Sequence, residues 1–415
     1  MTPEIDAAAT RLMAELSRRH FGLGHVLTAR PFAAPFGRLP ANHTYSLALK
    51  LEAGFDMVRL IYANDQPHPI EITAASVAAA SAIAPGAVPL DPGGTPAPWT
   101  RLTFNNTPGA PLIIPGSPTP GIPIFAGSDW VRLPSLPPAE ADARPWLLTR
   151  SFVARDARCI LIGPDDFAAF AAPDQHQGRP IQAIHQEGDL VTAPVPMTLG
   201  HPYGFIAPAA IQYRSRAAGL NLICVGDSIT CGSGTRSHFS GWGLRASAAL
   251  SRPDRPVSYV NAGWSGAPSA SFLAAARNVL PNITSGMLLV APFTVNDRHI
   301  DATATAQIEA AALAAFALAH DAARQGLRPG FTAPLPWSGA GPAIDTLRRA
   351  LIDTMRRHDL PLADMDRALS DGATPARLRP SDQTDGLHPN EAGNDHMADA
   401  VLTLIRQSWP AFTSP

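Results

Sequence analysis

The pattern of apolar and polar positions divides the chain into two textures. Residues 4–19 place Ile5, Ala8, Leu12 and Leu16 three to four apart, the stripe of an amphipathic helix. From about residue 20 to 215 the apolar runs are short, at 44–51, 57–62, 99–104, 112–114 and 159–162, with Pro, Gly, Asn and Asp between them. Such runs predict the strands of a β-sandwich or jelly roll. The stretch from Thr44 to Leu51 alternates at period two, as a strand does. Beyond residue 216 short apolar runs at 222–225, 257–260, 287–290, 330–333 and 362–365 alternate with helical patterns at 242–250, 268–280, 302–323, 343–357 and 392–406. Alternating strand and helix predicts βαβ units, hence a parallel, three-layer α/β sheet of the flavodoxin kind. The expected organisation is an N-terminal helix (1–20), a β-rich accessory domain (21–215) and an α/β domain (216–415). Open sheets of this kind carry their sites at the carboxyl ends of the strands.

Composition agrees with that division. A chain of 415 residues is long for one core and suits two. With 46% hydrophobic and 16% charged residues, charge-driven disorder is excluded. The formal net charge of −2 gives no footprint for nucleic acid and no polybasic membrane patch. The 43 prolines, about twice the usual share, point to Pro-rich connections between strands. Three cysteines, Cys159, Cys224 and Cys231, do not make a disulfide framework, and Cys224 lies in an apolar run as a buried thiol. No apolar stretch is long enough to span a bilayer. The first residues lack a basic segment followed by an apolar one, so the expected location is cytoplasmic.

Two segments carry chemistry. Val225-Gly226-Asp227-Ser228-Ile229-Thr230 follows a predicted strand and precedes a helix. Glycine permits a tight turn that presents a serine hydroxyl near a helix N-terminus, where N–H groups meet negative charge. The same residues also fit a plain helix cap. Asp385-Gly386-Leu387-His388-Pro389-Asn390 precedes the final helix. A serine becomes nucleophilic when an imidazole removes its proton, and a carboxylate on the other ring nitrogen orients that imidazole. An Asp-Gly turn before a capped helix is the bland alternative.

Together the segments resemble the SGNH (GDSL) hydrolase superfamily over roughly the last 200 residues. The resemblance implies a serine esterase with Ser228 as nucleophile, His388 as base, Asp385 as its orienting carboxylate, and no metal or organic cofactor. It also points to Asn261-Ala262-Gly263-Trp264-Ser265-Gly266 after the second strand, where Gly266 takes the place of the family's oxyanion glycine and Gly263 is the second choice. Phe293-Thr294-Val295-Asn296-Asp297 follows the third strand, and Asn296 matches the family's oxyanion asparagine. Thr294 departs from the pattern by replacing a glycine. A β-rich domain ahead of such a domain resembles certain carbohydrate O-acetyl esterases, which implies a small-molecule or glycan ester as substrate. An acyltransferase passing the acyl group to another alcohol is the alternative. Among other residues, Asp297, Arg298 and His299 read as a structural network, and Asp174, His176, His185, Glu187 and Asp189 as a solvated loop rather than a metal site. Phe239, Trp242, Trp264, Phe293 and Trp337 are core or pocket wall, with Trp264 placed to line an acyl or alcohol pocket. Asn64, Asp65, Trp99 and Trp130 are polar or aromatic candidates for substrate contact in the first half.

Overall fold

The computed structural model describes residues 2–30, 34–39, 41–119, 122–133, 145–155, 157–161, 181–193, 196–197, 208–235, 241–297, 304–337, 339 and 341–412. The chain divides into two compact units. One comprises Gly24–Leu220 and Ser251–Val260, the other Met1–Leu23, Asn221–Leu250 and Asn261–Pro415.

The first unit is an antiparallel β domain. One of its sheets runs in the order Ile181–Glu187, His43–Lys50, Trp146–Val153, Ala74–Ala80, Thr100–Arg101. Leu148 lies opposite both Ala48 and Ala78. A second antiparallel set pairs Phe55–Asn64 and Gly24–Ala29 with the early part of Ala210–Gly226, while Ile124–Gly127 and Val131–Arg132 pair with Phe55–Asn64. The buried hydroxyls of Tyr62 and Ser151, 2.7 Å apart, join the two sets face to face. The period-two alternation of His43–Lys50 does not leave one face in water: all six residues from Thr44 to Leu49 are buried. Thr44 tolerates this because its hydroxyl donates to Gly188 O (2.6 Å) and accepts from Leu190 N–H (2.9 Å). The expected strand at 99–104 shortens to Thr100–Arg101.

The second unit is the α/β half. The strand order that carries it is Val257–Gly263, Ala210–Gly226, Gly286–Val290, Leu327–Thr332, Leu362–Ala363, the first two strands entering this unit at Asn261 and Asn221. Cys224 is opposite Leu289, Leu289 opposite Gly330 and Phe331 opposite Leu362, all in parallel pairs. Residues 222–225 and 287–290 are all fully buried, as a sheet covered by helices on both faces requires. The expected change of texture at 215–216 falls inside one continuous strand, Ala210–Gly226. The N-terminal helix, Pro3–Leu16, packs on the alanine-rich helix Ala304–Arg324 and buries Ile5, Ala8, Ala9 and Leu12 there. The strand order turns back at Ala210–Gly226, which has its chain neighbour Val257–Gly263 on one side and Gly286–Val290 on the other. That is the switch point where open α/β sheets leave a crevice. No helix among the described residues is long and apolar enough to cross a membrane.

Candidate active site

Four loops meet at the switch point. At Gly226 a Cβ would lie 2.2 Å from Thr230 Oγ1, so only glycine lets the strand turn directly into the short helix Ser228–Cys231. Asp227 caps that helix, its Oδ1 accepting from Ile229 N–H at 3.0 Å. The cap and the presented serine are therefore two parts of one turn. Ser228 Oγ lies 3.1 Å from His388 Nε2, and His388 Nδ1 lies 2.7 Å from Asp385 Oδ2. Asp385, His388 and Ser228 thus form one hydrogen-bonded chain.

The Asp385 turn is built for this geometry. Gly386 has φ +83, and its N–H donates to Gln383 Oε1 at 2.6 Å. The carboxylate then accepts N–H bonds from Leu387 (3.0 Å) and His388 (2.7 Å) as well as meeting the imidazole. Partial burial pushes the Asp385 carboxyl up, but these hydrogen bonds and the nearby imidazole outweigh it and hold it at about 2. Two contacts fix the loop from below. A Cβ on Gly234 would fall 2.4 Å from Pro389 O and 2.9 Å from His388 Cβ. Buried Asn394 donates to Pro389 O (2.9 Å) and Asn390 O (3.0 Å), and its Oδ1 accepts from Trp242 N–H at 2.9 Å. Trp242 Nε1 in turn donates to Ile229 O at 3.2 Å, tying the imidazole loop to the serine turn.

The two glycines of the second loop differ. Gly263 N–H donates to Asn261 Oδ1 (3.0 Å), and a Cβ there would lie 2.7 Å from Cys231 N. Gly266 is exposed with φ +74, and a Cβ there would meet nothing within 4 Å. Gly266, unlike Gly263, therefore has open space beside it. In the third loop Asn296 Nδ2 lies 3.2 Å from Ala267 O, 3.3 Å from Thr294 Oγ1 and 3.5 Å from Asp227 Oδ2. Asp297 binds structure, as expected: Oδ1 accepts from Ser269 N–H (2.8 Å), and Oδ2 from Thr294 N–H (2.9 Å) and the Ser269 hydroxyl. It thereby caps the helix Ser269–Val279, whose own N-cap residue is a proline. Sequence reasoning missed the Thr294 hydroxyl, which donates to Asp227 Oδ2 across the switch point. Burial raises the Asp227 carboxyl above its ordinary value, with the Thr294 bond acting the other way.

Beside the serine turn is a small pocket of ≈ 40 Å³, bordered by Asp227 and Ile229 and walled by Trp242, Phe293, Trp337 and Leu387. Phe293 and Trp337 meet edge to face, 6.5 Å between ring centroids. Trp264 is half-buried and is not part of this wall. Phe239, Arg298, His299, Asp174 and His176 lie outside the described residues. His185 stacks on Tyr45 (5.8 Å) in the β domain. Of the candidates there, Asn64 and Asp65 are buried, and Asn64 donates to His68 O and Pro115 O, which makes it a loop staple. Trp99 lies under the Arg150 guanidinium (4.2 Å), and Trp130 under that of Arg59 (5.1 Å).

Comparison with known proteins gives a family for part of the chain. The model of the GDSL-like lipase/acylhydrolase family matches residues 224–396. Among solved structures, a member of the lipolytic protein G-D-S-L family from Veillonella parvula is 17% identical with a TM-score of 0.33, covering 44% of this chain and 97% of its own. An acetylxylan esterase from Geobacillus stearothermophilus is 19% identical with a TM-score of 0.36, covering 46% and 95%. A two-domain esterase active on acetylated mannans is 18% identical with a TM-score of 0.32, covering 46% and 49%. No curated protein matched. Residues 224–396 are therefore a GDSL-like lipase/acylhydrolase (SGNH) domain, of a family of ester hydrolases.

Proposed function

We propose that the protein is a serine esterase for short acyl groups, with Ser228, His388 and Asp385 as its catalytic triad. The observation that carries this is the hydrogen-bonded chain from Ser228 Oγ through the imidazole to Asp385. Ser228 Oγ attacks the ester carbonyl as His388 Nε2 takes its proton, and Asp385 holds the ring and stabilises the imidazolium. Charge developing on the carbonyl oxygen is met by the N–H groups of Ser228 and Gly266 and by Asn296 Nδ2. The long contacts of Asn296, 3.2–3.5 Å, are ones an oxyanion can outcompete. His388 then protonates the departing alcohol, and a water activated by the same ring releases the acid.

The small pocket between Leu387 and Phe293 has room for about three water molecules, which suits an acetyl or propionyl chain. The alcohol half is proposed to be a small molecule or a glycan. The test is Ser228→Ala against p-nitrophenyl esters from acetate to octanoate and against acetylated sugars. Turnover is expected to fall at least ~10³-fold with the fold intact, and acetate to be cleaved faster than octanoate. A variant retaining a tenth of wild-type turnover would remove Ser228 as nucleophile. Free acid as product in the presence of an added alcohol supports hydrolysis, and an ester of that alcohol would instead mark a transferase.

A further inference from the structure

We infer that Thr294 is a positioning residue that holds the oxyanion asparagine in register with the nucleophile turn. The inference rests on the reading of Asn296 as an oxyanion donor and adds a residue to it. At this position the GDSL pattern has a glycine, which has no side chain to offer. Here a hydroxyl is present, and every hydrogen-bonding site on it is used. A hydroxyl has one hydrogen to donate and two lone pairs to accept with. The hydrogen goes to Asp227 Oδ2, one residue before Ser228. The lone pairs accept from Asn296 N–H at 3.2 Å and from Asn296 Nδ2 at 3.3 Å.

The loop's backbone is anchored separately, through Thr294 N–H to Asp297 Oδ2 at 2.9 Å. The Thr294 side chain is thus not needed to close the loop. What it adds is a link between two loops 67 residues apart in sequence, one carrying the nucleophile and one the oxyanion donor. Asp227 is 4% exposed and Thr294 6%, so the link is shielded from water and from competing partners. Asp227 needs the link as well: its Oδ1 already caps the short helix, and the Thr294 hydroxyl is the short contact on its Oδ2. Without that hydroxyl Asn296 Nδ2 keeps Ala267 O at 3.2 Å and only a long contact to Asp227 Oδ2 at 3.5 Å, so its amide is free to shift towards the carbonyl. A displacement of about an ångström at a charge-stabilising donor costs on the order of a hundredfold in rate.

The experiment compares Thr294→Val, Thr294→Gly, Thr294→Ser and Asn296→Ala in the full chain, each checked for an unchanged thermal midpoint. Kinetics are measured on p-nitrophenyl acetate. Asn296→Ala is expected to lower kcat by roughly 10²–10³-fold. Valine keeps the shape and removes the hydroxyl, and glycine restores the residue of the family pattern. Both are expected to lower kcat about tenfold to a hundredfold with KM within about threefold. Serine, which retains the hydroxyl, is expected to stay within about threefold of wild type. Thr294→Val on top of Asn296→Ala should add little, because the two act as one unit. If valine is poorly folded, glycine carries the comparison. Wild-type kcat in the folded hydroxyl-free variants, with Asn296→Ala impaired, would overturn the positioning role and leave the oxyanion reading standing. Wild-type kcat in Asn296→Ala would overturn both.

Discussion

At the scale of single residues, the site is a set of short polar side chains whose protons are assigned by their neighbours. Asp385 is the clearest case. In the folded protein its carboxyl titrates at about 2, against an ordinary 3.8. Folding therefore favours the ionised form. The stabilisation is complete above about pH 4, where the unfolded chain is also ionised, and it is lost as pH falls towards 2. The side chain is half exposed, so solvent screens it and the effect on global stability is small. The expected outcome is that Asp385→Asn lowers the thermal midpoint slightly and evenly above pH 4, with the difference closing between pH 4 and 2. Midpoints measured across pH 2–8 check this, and a difference that widened towards acid would contradict the assignment. The residues of this chain of groups were legible in the sequence because each sits in a short motif with its own turn former, Gly226 before Ser228 and Gly386 before His388. The Thr294–Asp227 link was not legible. Neither residue signals the other, and only folding brings positions 67 apart within reach.

At the scale of elements, the α/β half followed its pattern closely. The buried runs at 222–225 and 287–290 and the helices Trp242–Leu250 and Pro342–Arg357 lie where periodicity puts them. The β domain was less legible. His43–Lys50 alternates at period two yet is covered on both faces, and polar Thr44 and Ser46 are buried because tertiary context overrides the pattern. Elements also hold the site through contacts no motif announces. Asn394, on the final helix Glu391–Ser408, is 1% exposed and bridges Trp242 N–H to the carbonyls of Pro389 and Asn390. Asn394→Ala leaves these buried groups unmet, at a cost of about 1–3 kcal/mol. It also loosens the loop bearing His388. A lowered thermal midpoint together with a several-fold fall in kcat is the expected result, read by calorimetry and p-nitrophenyl acetate kinetics. Stability lost with kcat intact would mean that the bridge supports the helix but not the imidazole.

At the scale of the whole molecule, the α/β unit begins at both ends of the sequence. The helix Pro3–Leu16 belongs by packing to the half that carries the site, although some 200 residues of β domain follow it. Its apolar stripe, Ile5, Ala8, Ala9 and Leu12, is buried against Ala304–Arg324. That long helix packs in turn on the sheet strand Leu327–Thr332, with Phe316 on Phe331 at 4.9 Å. Polar contacts continue the attachment: Arg19 donates to Arg324 O at 3.2 Å, and Asp6 meets both Arg357 (3.0 Å) and His358 (2.8 Å). These surface pairs add little, and the apolar stripe dominates. Leu12 is 1% exposed, so Leu12→Ala removes a fully buried side chain and leaves a cavity. The cost for such a change is roughly 2–5 kcal/mol, or a midpoint lower by on the order of 5–15 °C for a unit of this size. Since the unit that loses stability is the one holding Ser228, His388 and Asp385, the temperature at which esterase activity is lost should fall with it. Activity at 20 °C should be unchanged, because nothing in the site is touched. The measurement is residual p-nitrophenyl acetate hydrolysis after heating full-length wild type and Leu12→Ala over a series of temperatures. An inactivation midpoint identical in the two proteins would show that the helix is an appendage whose packing does not support the site.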